Sequence, residues 1–267
     1  MSESGGASLD LILHVARYEW VRSHLLAPDG SDRLIDLGCG TGYGVKLLAG
    51  HCSEVLGIDF DPAVQDLIDA ESSNAQFLVA DITEPSLTNR VFGPKATIVT
   101  CMETIEHLED YKTLLSNAVH LLDNDGVLVV GTPNRVMTYN RYPGRRHMDP
   151  SHVQEFTPYS LRYALEPFFE EIDLYLQFLD NYWETTHSLA SVTSSSSRFR
   201  SMAKEWVPPI LAGAIKSWIR RRADAAFTSR RQRFDESRVR FIAESDSRDL
   251  VLDAFALMAV CRKPIRI

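Results

Sequence analysis

The chain has 267 residues, 45% of them apolar and 24% charged, with a formal net charge of −8 at pH 7. This composition is ordinary for a globular protein, and the length suits one large domain or a domain with a subdomain. No apolar stretch approaches the roughly 20 residues that cross a bilayer. The first ten residues lack a basic flank followed by an apolar core, so we expect no secretory signal. The four cysteines show no paired or metal-type spacing, which favours a cytoplasmic location.

A first helix is predicted over residues 10–26 and is ended by the proline and glycine that follow. Five β-rich runs then alternate with helical stretches: RLIDLG, VLGIDF, QFLVADI, ATIVTCM and GVLVVGTPN. Because nearly continuous Val, Ile and Leu is typical of strands covered on both faces, the runs predict a parallel sheet flanked by helices. Two later strands, EEIDLYLQF and DAFALMAVCRK, bring the α/β sheet to seven strands.

The segment between the last two predicted strands is basic. Residues 198–240 hold twelve Lys/Arg and four Asp/Glu, a local charge of +8, which leaves −16 for the rest. We expect a core of 1–180 plus 250–267 and a helical insertion or lid over 181–249. Its part 207–227 has the pattern of an amphipathic helix that carries a tryptophan and arginines. Three interpretations stay open: packing on the core, a lid that selects the acceptor and binds its phosphate, or contact with an anionic membrane face.

The run LIDLGCGTGYG ends a predicted strand at Asp36 and continues in a Gly-x-Gly-x-Gly spacing, with Gly38, Gly40 and Gly42. Glycines there let the backbone turn sharply and approach a ligand at the mouth of a sheet. Dinucleotide sites have a different spacing, Gly-x-Gly-x-x-Gly. Further along, Asp59 ends the second strand, where a carboxylate can accept hydrogen bonds from both ribose hydroxyls. Asp81 follows the third strand, at a position suited to an adenine amino group.

These motifs, Asp36-Leu-Gly38-Cys-Gly40-Thr-Gly42, Asp59 and Asp81-Ile82, resemble those of class I S-adenosylmethionine-dependent methyltransferases. The resemblance implies S-adenosyl-L-methionine as cofactor and a Rossmann-like, doubly wound, mostly parallel sheet whose last strand is antiparallel. It also implies that the first helix covers the methionine part of the cofactor. Two residues of its segment ARYEW, Arg17 and Tyr18, are therefore implied to bind the cofactor. The implied cofactor-binding residues are therefore Arg17, Tyr18, Asp36, Gly38, Gly40, Gly42, Asp59, Asp81 and Ile82.

A second cluster, in VTCMETIEHLEDY, places Glu103, Glu106 and His107 directly after the fourth strand. Residues three and four apart share one face of a helix, so we expect the three to begin a helix and converge. Some methyltransferases that act on quinone precursors, or on the 3′-terminal ribose of small RNAs, are similar in this E-x-x-E-H pattern. In those enzymes the residues bind a divalent ion.

The segment HVQEFT, which begins at His152, is similar to the H-x-x-E-F-T segment of small-molecule and glycan methyltransferases. Three interpretations of the acidic and imidazole groups stay open. A Mg²⁺ or other divalent cation binds Glu103, Glu106, His107 and His152; a histidine acts directly as general base; or the residues are structural. The catalytic candidates are His107, His152 and Glu103. The histidines His14, His24, His51, His120 and His187 are expected to be surface or packing residues.

The sequence thus predicts a cytoplasmic enzyme. An alternative prediction places it at the inner face of the membrane. Its activity is S-adenosylmethionine-dependent O-methylation of a sugar hydroxyl in a glycan or secondary metabolite. Methylation of a quinone precursor and 2′-O methylation of an RNA 3′ terminus are alternatives. Nucleic acid is not expected as a partner, because aromatic platforms for stacking bases are not evident. Two alternatives of other classes are a nicotinamide-dependent oxidoreductase and a non-catalytic nucleoside-binding module.

Overall fold

A computed structural model of the chain describes residues 9–62, 74–141, 144, 146, 147, 149–179, 239–243 and 254–266. Most of the predicted insertion 181–249, including the helix expected over 207–227, lies outside these residues. The larger compact unit of the chain comprises Asp10–Phe178 and Phe241–Ile267, and the candidate site described below lies in it. The predicted boundaries 1–180 plus 250–267 stay a prediction.

Helices and strands alternate along the first half of the chain. The helices are α1 (Leu9–His24), α2 (Tyr43–Ala49), α3 (Leu87–Arg90), α4 (Tyr111–Leu121), α5 (Arg135–Arg141) and α6 (Pro158–Leu165). The strands are β1 (Arg33–Leu37), β2 (Glu54–Asp59), β3 (Ala75–Val79), β4 (Ala96–Met102), β5 (Leu122–Pro133), β6 (Phe169–Leu179), β7 (Val239–Ala243) and β8 (Ala256–Pro264).

The strands form one sheet in the order β3-β2-β1-β4-β5-β8-β6-β7. The first five in this order are mutually parallel, whereas β8 is antiparallel to both of its neighbours, β5 and β6. The prediction of a mostly parallel, doubly wound sheet with an antiparallel last strand is confirmed. Because the strand order reverses between β1 and β4, a crevice opens at the carboxyl ends of these strands, where ligands bind in such folds.

The sheet has one strand more than the seven predicted. The extra strand, β7, falls within the segment 181–249 that was expected to be helical. It is only five residues long, and Arg240 interrupts its apolar residues, so the pattern was too short to recognise as a strand. The remainder of 181–249 is outside the described residues.

The central strands are buried on both faces, as their near-continuous apolar sequences predict. Every residue of β1 is buried, and β2 and β4 each have a single half-buried residue among otherwise buried ones. These strands form a core with α4 and α6. In the part of the chain that the structure describes, no helix has both the length and the apolar character that spanning a bilayer requires.

Candidate active site

The glycine loop after β1 has the backbone that its sequence predicts. Gly38, Gly40 and Gly42 have φ values of 74°, 56° and 73°, in the left-handed region that favours glycine. A Cβ on Gly38 would lie 2.5 Å from the side chain of Thr104, so this glycine lets the loop pack against the end of β4. A Cβ on Gly40 would meet nothing within 4 Å. The loop therefore presents bare backbone toward open space at Gly40.

Asp59 and Asp81 end two adjacent strands on the same side of the loop. Asp59 is 8% exposed; its Oδ2 accepts from the amide of Gly40 at 2.9 Å and its Oδ1 from the amide of Asp61 at 3.0 Å. Asp81 is exposed and accepts from the amide and hydroxyl of Thr83 at 2.8 and 2.7 Å. The geometry thus places a carboxylate against the loop and another one strand further along.

Asp36 lies beneath this surface. Its fully buried carboxylate accepts from the Thr100 hydroxyl at 2.6 Å and from the Tyr18 hydroxyl at 3.0 and 3.2 Å. Burial raises the pKa of Asp36 to about 6, although both hydroxyl donors oppose the shift. Asp36 and Tyr18 were both predicted to bind the cofactor. In the structure they bind each other and fasten α1 to β1.

Arg17, a third predicted cofactor residue, is 2% exposed and is held by two side chains. Its Nε donates to Gln177 Oε1 at 2.8 Å, and its Nη1 donates to Glu103 Oε1 at 2.5 Å. A Cβ on Gly131 would lie 3.0 Å from Cδ of Arg17, so that glycine leaves room for the arginine. Arg17 therefore reaches the site as the counter-ion of Glu103.

Glu103 itself has a left-handed backbone, with φ of 50°, directly after β4. His14 Nε2 lies 3.7 Å from Glu103 Oε2. The carboxyl group is penalised by burial, but Arg17 and His14 outweigh that penalty and hold the pKa of Glu103 below its ordinary value. Glu103 is thus a paired carboxylate.

The expected helix at Glu103, Glu106 and His107 is wrong. Ile105–His107 form a single 3-10 turn, and α4 begins only at Tyr111. The helix starts there because the side chain of Asp110 accepts from the amide of Thr113 at 3.1 Å, a helix-capping bond. The Asp-x-x-Thr sequence was the signal that could have located this boundary.

The turn nevertheless brings three predicted site residues together. Ligand atoms of Glu106, His107 and His152 lie within 4.8 Å of one another, and Glu103 is not part of this group. Glu106 is fully buried; its Oε2 accepts from the Thr132 hydroxyl at 2.9 Å, whereas its buried Oε1 has no hydrogen-bond partner among the described residues. Burial raises the pKa of Glu106 well above its ordinary value, and the charge of Glu103 adds to the shift.

Each imidazole of the group is fixed through one nitrogen. His107 Nδ1 lies 3.2 Å from the carbonyl oxygen of Ser151, and His152 Nδ1 lies 2.9 Å from Glu155 Oε1. The two rings meet edge to face, with centroids 4.8 Å apart. Because a carbonyl oxygen only accepts, His107 carries a proton on Nδ1, and its Nε2 is the nitrogen left for a ligand.

A pocket of about 870 Å³ adjoins this group through His152. Its other lining residues are ionisable or small: Glu109, Arg146, His147, Asp149, Pro150 and Val153. His147, Asp149 and His152, which come from the segment between α5 and α6, all line this pocket.

The residues of the site fit both S-adenosylmethionine and a divalent cation, the two ligands that the sequence implied. The open space above Gly40 and the carboxylate of Asp59 suit the nucleoside part of S-adenosylmethionine. The unpartnered Oε1 of Glu106 and the two imidazoles suit a divalent cation with mixed oxygen and nitrogen ligands. Thr104 connects the two regions, since its hydroxyl donates to the Gly38 carbonyl at 3.4 Å.

A family model described as "Methyltransferase domain" matches residues 13–168, more than half of the chain and the whole of this region. The chain belongs to this methyltransferase family. The resemblance to class I S-adenosylmethionine-dependent methyltransferases is thereby confirmed, and the cofactor that it implies is S-adenosylmethionine. The nicotinamide-dependent alternative finds no support.

Two curated relatives are similar to part of this methyltransferase. A probable S-adenosylmethionine-dependent methyltransferase of Mycolicibacterium smegmatis is 30% identical over 151 residues, 56% of each chain. A ubiquinone biosynthesis O-methyltransferase of Glaesserella parasuis is 31% identical over 108 residues, 39% of this chain and 46% of the relative. The matched stretches thus span about half the length of these relatives.

Among solved structures, an S-adenosylmethionine-dependent methyltransferase from Archaeoglobus fulgidus superposes with a TM-score of 0.55 over 94% of both chains. Its sequence identity to this methyltransferase is 14%, so this likeness shows the fold alone.

Proposed function

We propose that this methyltransferase is an O-methyltransferase that binds its acceptor hydroxyl at Glu106, His107 and His152. The observation that carries the proposal is the convergence of these side chains next to the turn that packs on the glycine loop. A hydroxyl, unlike an unprotonated amine, must lose a proton when it is methylated. The group supplies both a carboxylate and imidazoles, the side chains that perform this task.

S-adenosylmethionine supplies an activated methyl group when bound. The glycine loop, Asp59, Asp81 and Ile82 are the residues proposed to hold it. Methyl transfer asks mainly for positioning, so the work of the protein is to fix the acceptor oxygen in line and to receive its proton. Arg17, Tyr18 and Asp36 support this surface from within α1 and β1, through the bonds described above.

The three side chains are proposed to hold a divalent cation, which lowers the pKa of a hydroxyl bound to it. The unpartnered Oε1 of Glu106 favours this interpretation over a purely structural role, because a buried oxygen without a partner costs about 1–3 kcal/mol. Direct proton transfer to His152 or His107 is the competing mechanism.

The acceptor is proposed to be a sugar hydroxyl. The pocket beside His152 has both hydrogen-bond donors and acceptors on its walls, and no Phe, Tyr or Trp is among the described residues that line it. Such walls suit a polyhydroxylated ligand better than a flat ring. A quinone precursor is the second candidate, because relatives named as ubiquinone biosynthesis O-methyltransferases match part of the chain. A phosphate on the acceptor and a membrane contact through 207–227 are retained as proposals on the sequence alone.

The test is transfer of a radiolabelled methyl group from S-adenosylmethionine to two acceptor panels, nucleotide sugars with free glycosides and catechols. We expect label on a sugar oxygen, loss of turnover with EDTA and its recovery with Mn²⁺ or Mg²⁺. Label on catechols alone would favour the second candidate. Turnover that survives EDTA but not His152→Ala would favour direct proton transfer. Label on nitrogen or carbon would contradict O-methylation.

A further inference from the structure

Glu155 was given no role by its sequence, yet its carboxylate forms a hydrogen bond with His152. Its side chain is fully buried, and its Oε1 lies 2.9 Å from Nδ1 of His152, whose side chain is 7% exposed. The two residues are three positions apart in the loop before α6. A carboxylate in this position acts on the site through the histidine.

Arg135 places a positive charge beside this carboxylate. Nη1 of Arg135 lies 3.9 Å from Oε2 of Glu155, on the oxygen that does not face His152. The backbone fixes this arrangement, because the amide of Arg135 donates to the carbonyl of Phe156, the residue after Glu155, at 2.8 Å. A nearby cation favours the charged form of a carboxylic acid.

An ionised carboxylate can only accept a hydrogen bond, so the proton between the two groups belongs to Nδ1 of His152. In the neutral imidazole, Nε2 then keeps the lone pair that a cation ligand or a proton acceptor requires. The carbonyl of Ser151 imposes the same state on His107. Both imidazoles therefore offer Nε2 to a ligand. In His152 the carboxylate of Glu155 selects this tautomer.

We infer that Glu155 is a positioning residue, which fixes the Nδ1–H tautomer of His152 and leaves Nε2 free for the reaction. The inference rests on the proposed function for the use of Nε2, but the tautomer is a property of the protein alone. Carboxylate partners of metal-binding histidines act in this way, and their loss costs about 10–100-fold in metal affinity or activity.

The experiment is nitrogen NMR on protein labelled with ¹⁵N in its eight histidines, with His152→Gln assigning the His152 signals. In the wild type we expect a protonated Nδ1 and an unprotonated Nε2. In Glu155→Gln we expect this single tautomer to be lost, because an amide can donate as well as accept. Glu170→Gln, at an exposed position on β6, is the matched control and should leave the signals unchanged.

Cation affinity gives an independent readout with Mn²⁺ alone as the probe. We expect calorimetry to show affinity about 10–100-fold weaker in Glu155→Gln and unchanged in Glu170→Gln. If Glu155→Gln does not fold, Arg135→Gln keeps the carboxylate but removes its cation and should weaken the same tautomer. A wild-type His152 protonated on Nε2, or signals identical in wild type and Glu155→Gln, would overturn the inference. Failure of O-methylation alone would leave the NMR signature intact, so the two proposals fail separately.

Discussion

Nη1 of Arg17 lies 2.5 Å from Oε1 of Glu103, which joins the buried cation of α1 to the carboxylate that follows β4. Because of this ion pair, Glu103 and Glu106 have different roles although they are close in sequence. Glu103 is neutralised by an arginine, whereas Glu106, three residues later, keeps an unpartnered oxygen for the histidine group.

Replacing Arg17 should destabilise the protein severely. Arg17→Met leaves the Glu103 carboxylate, whose side chain is only 20% exposed, without its cation, and we expect the free energy of unfolding to fall by about 3 kcal/mol. Urea denaturation measures this. Arg22→Met is the control, since Arg22 pairs with Glu19 on the same helix but is 37% exposed, where a pair contributes less than about 1 kcal/mol. Equal losses in the two variants would contradict the structural importance of the Arg17 pair.

Alanine substitutions at Gly40 and Gly50 test whether the glycine loop binds the cofactor, because both positions have open space for a Cβ but only Gly40 lies in the loop. Gly40→Ala should lose about 1–2 kcal/mol of stability, because φ is 56°, and should weaken binding of S-adenosylhomocysteine. A Cβ on Gly50 would also meet nothing within 4 Å, but the φ of Gly50 is −71°. Gly50→Ala should therefore be neutral or stabilising by about 0.5 kcal/mol and bind normally. Melting curves and calorimetry test both, and normal binding by Gly40→Ala would argue against a cofactor at the loop.

Asp36 predicts a pH dependence of stability with a definite sign. Burial raises its pKa from 3.8 to about 6 in the folded protein, so between these pH values the native state binds more protons than the unfolded state. The contribution of Asp36 to stability must then fall as pH rises through this window and stay constant above it. Relative to Asp36→Asn, the wild type should lose about 2 kcal/mol between pH 4 and pH 7. Urea titrations at each pH measure the difference, and parallel curves for the two proteins would contradict it.

Glu106→Gln should weaken cation binding without lowering the stability of the protein. Glutamine can still accept from the Thr132 hydroxyl and removes a charge that burial disfavours, so we expect the melting temperature to stay the same or rise. Affinity for Mn²⁺ should fall at least about 10-fold, because one anionic ligand is lost. Calorimetry with Mn²⁺ decides this. Unchanged affinity would remove Glu106 from the cation site.

The cofactor half of the site was predictable because its signals are local. Glycines that must adopt positive φ, and acids at the ends of β2 and β3, can be recognised within a few residues of each other. The contacts of Arg17 with Glu103 and Gln177 join residues 86 and 160 positions apart, and no local pattern specifies them. Glu155 was missed for a related reason, since its importance depends on the ring that it faces and on Arg135.

The 3-10 turn shows where periodicity misleads. A spacing of three and four predicts a shared helical face, but the cap at Asp110 starts α4 later. Glu106 and His107 converge with His152 through the turn and the following loop, so the predicted grouping was partly right although its predicted cause was wrong.

Calorimetric titration of the wild type and Asp59→Asn with S-adenosylmethionine tests most directly whether the glycine loop holds the methyl donor. We predict one binding site in the wild type and at least about 10-fold weaker binding in Asp59→Asn, about 1.4 kcal/mol. Equal affinity in both proteins, or no binding of S-adenosylmethionine by the wild type, would contradict the placement of the cofactor at Gly40 and Asp59.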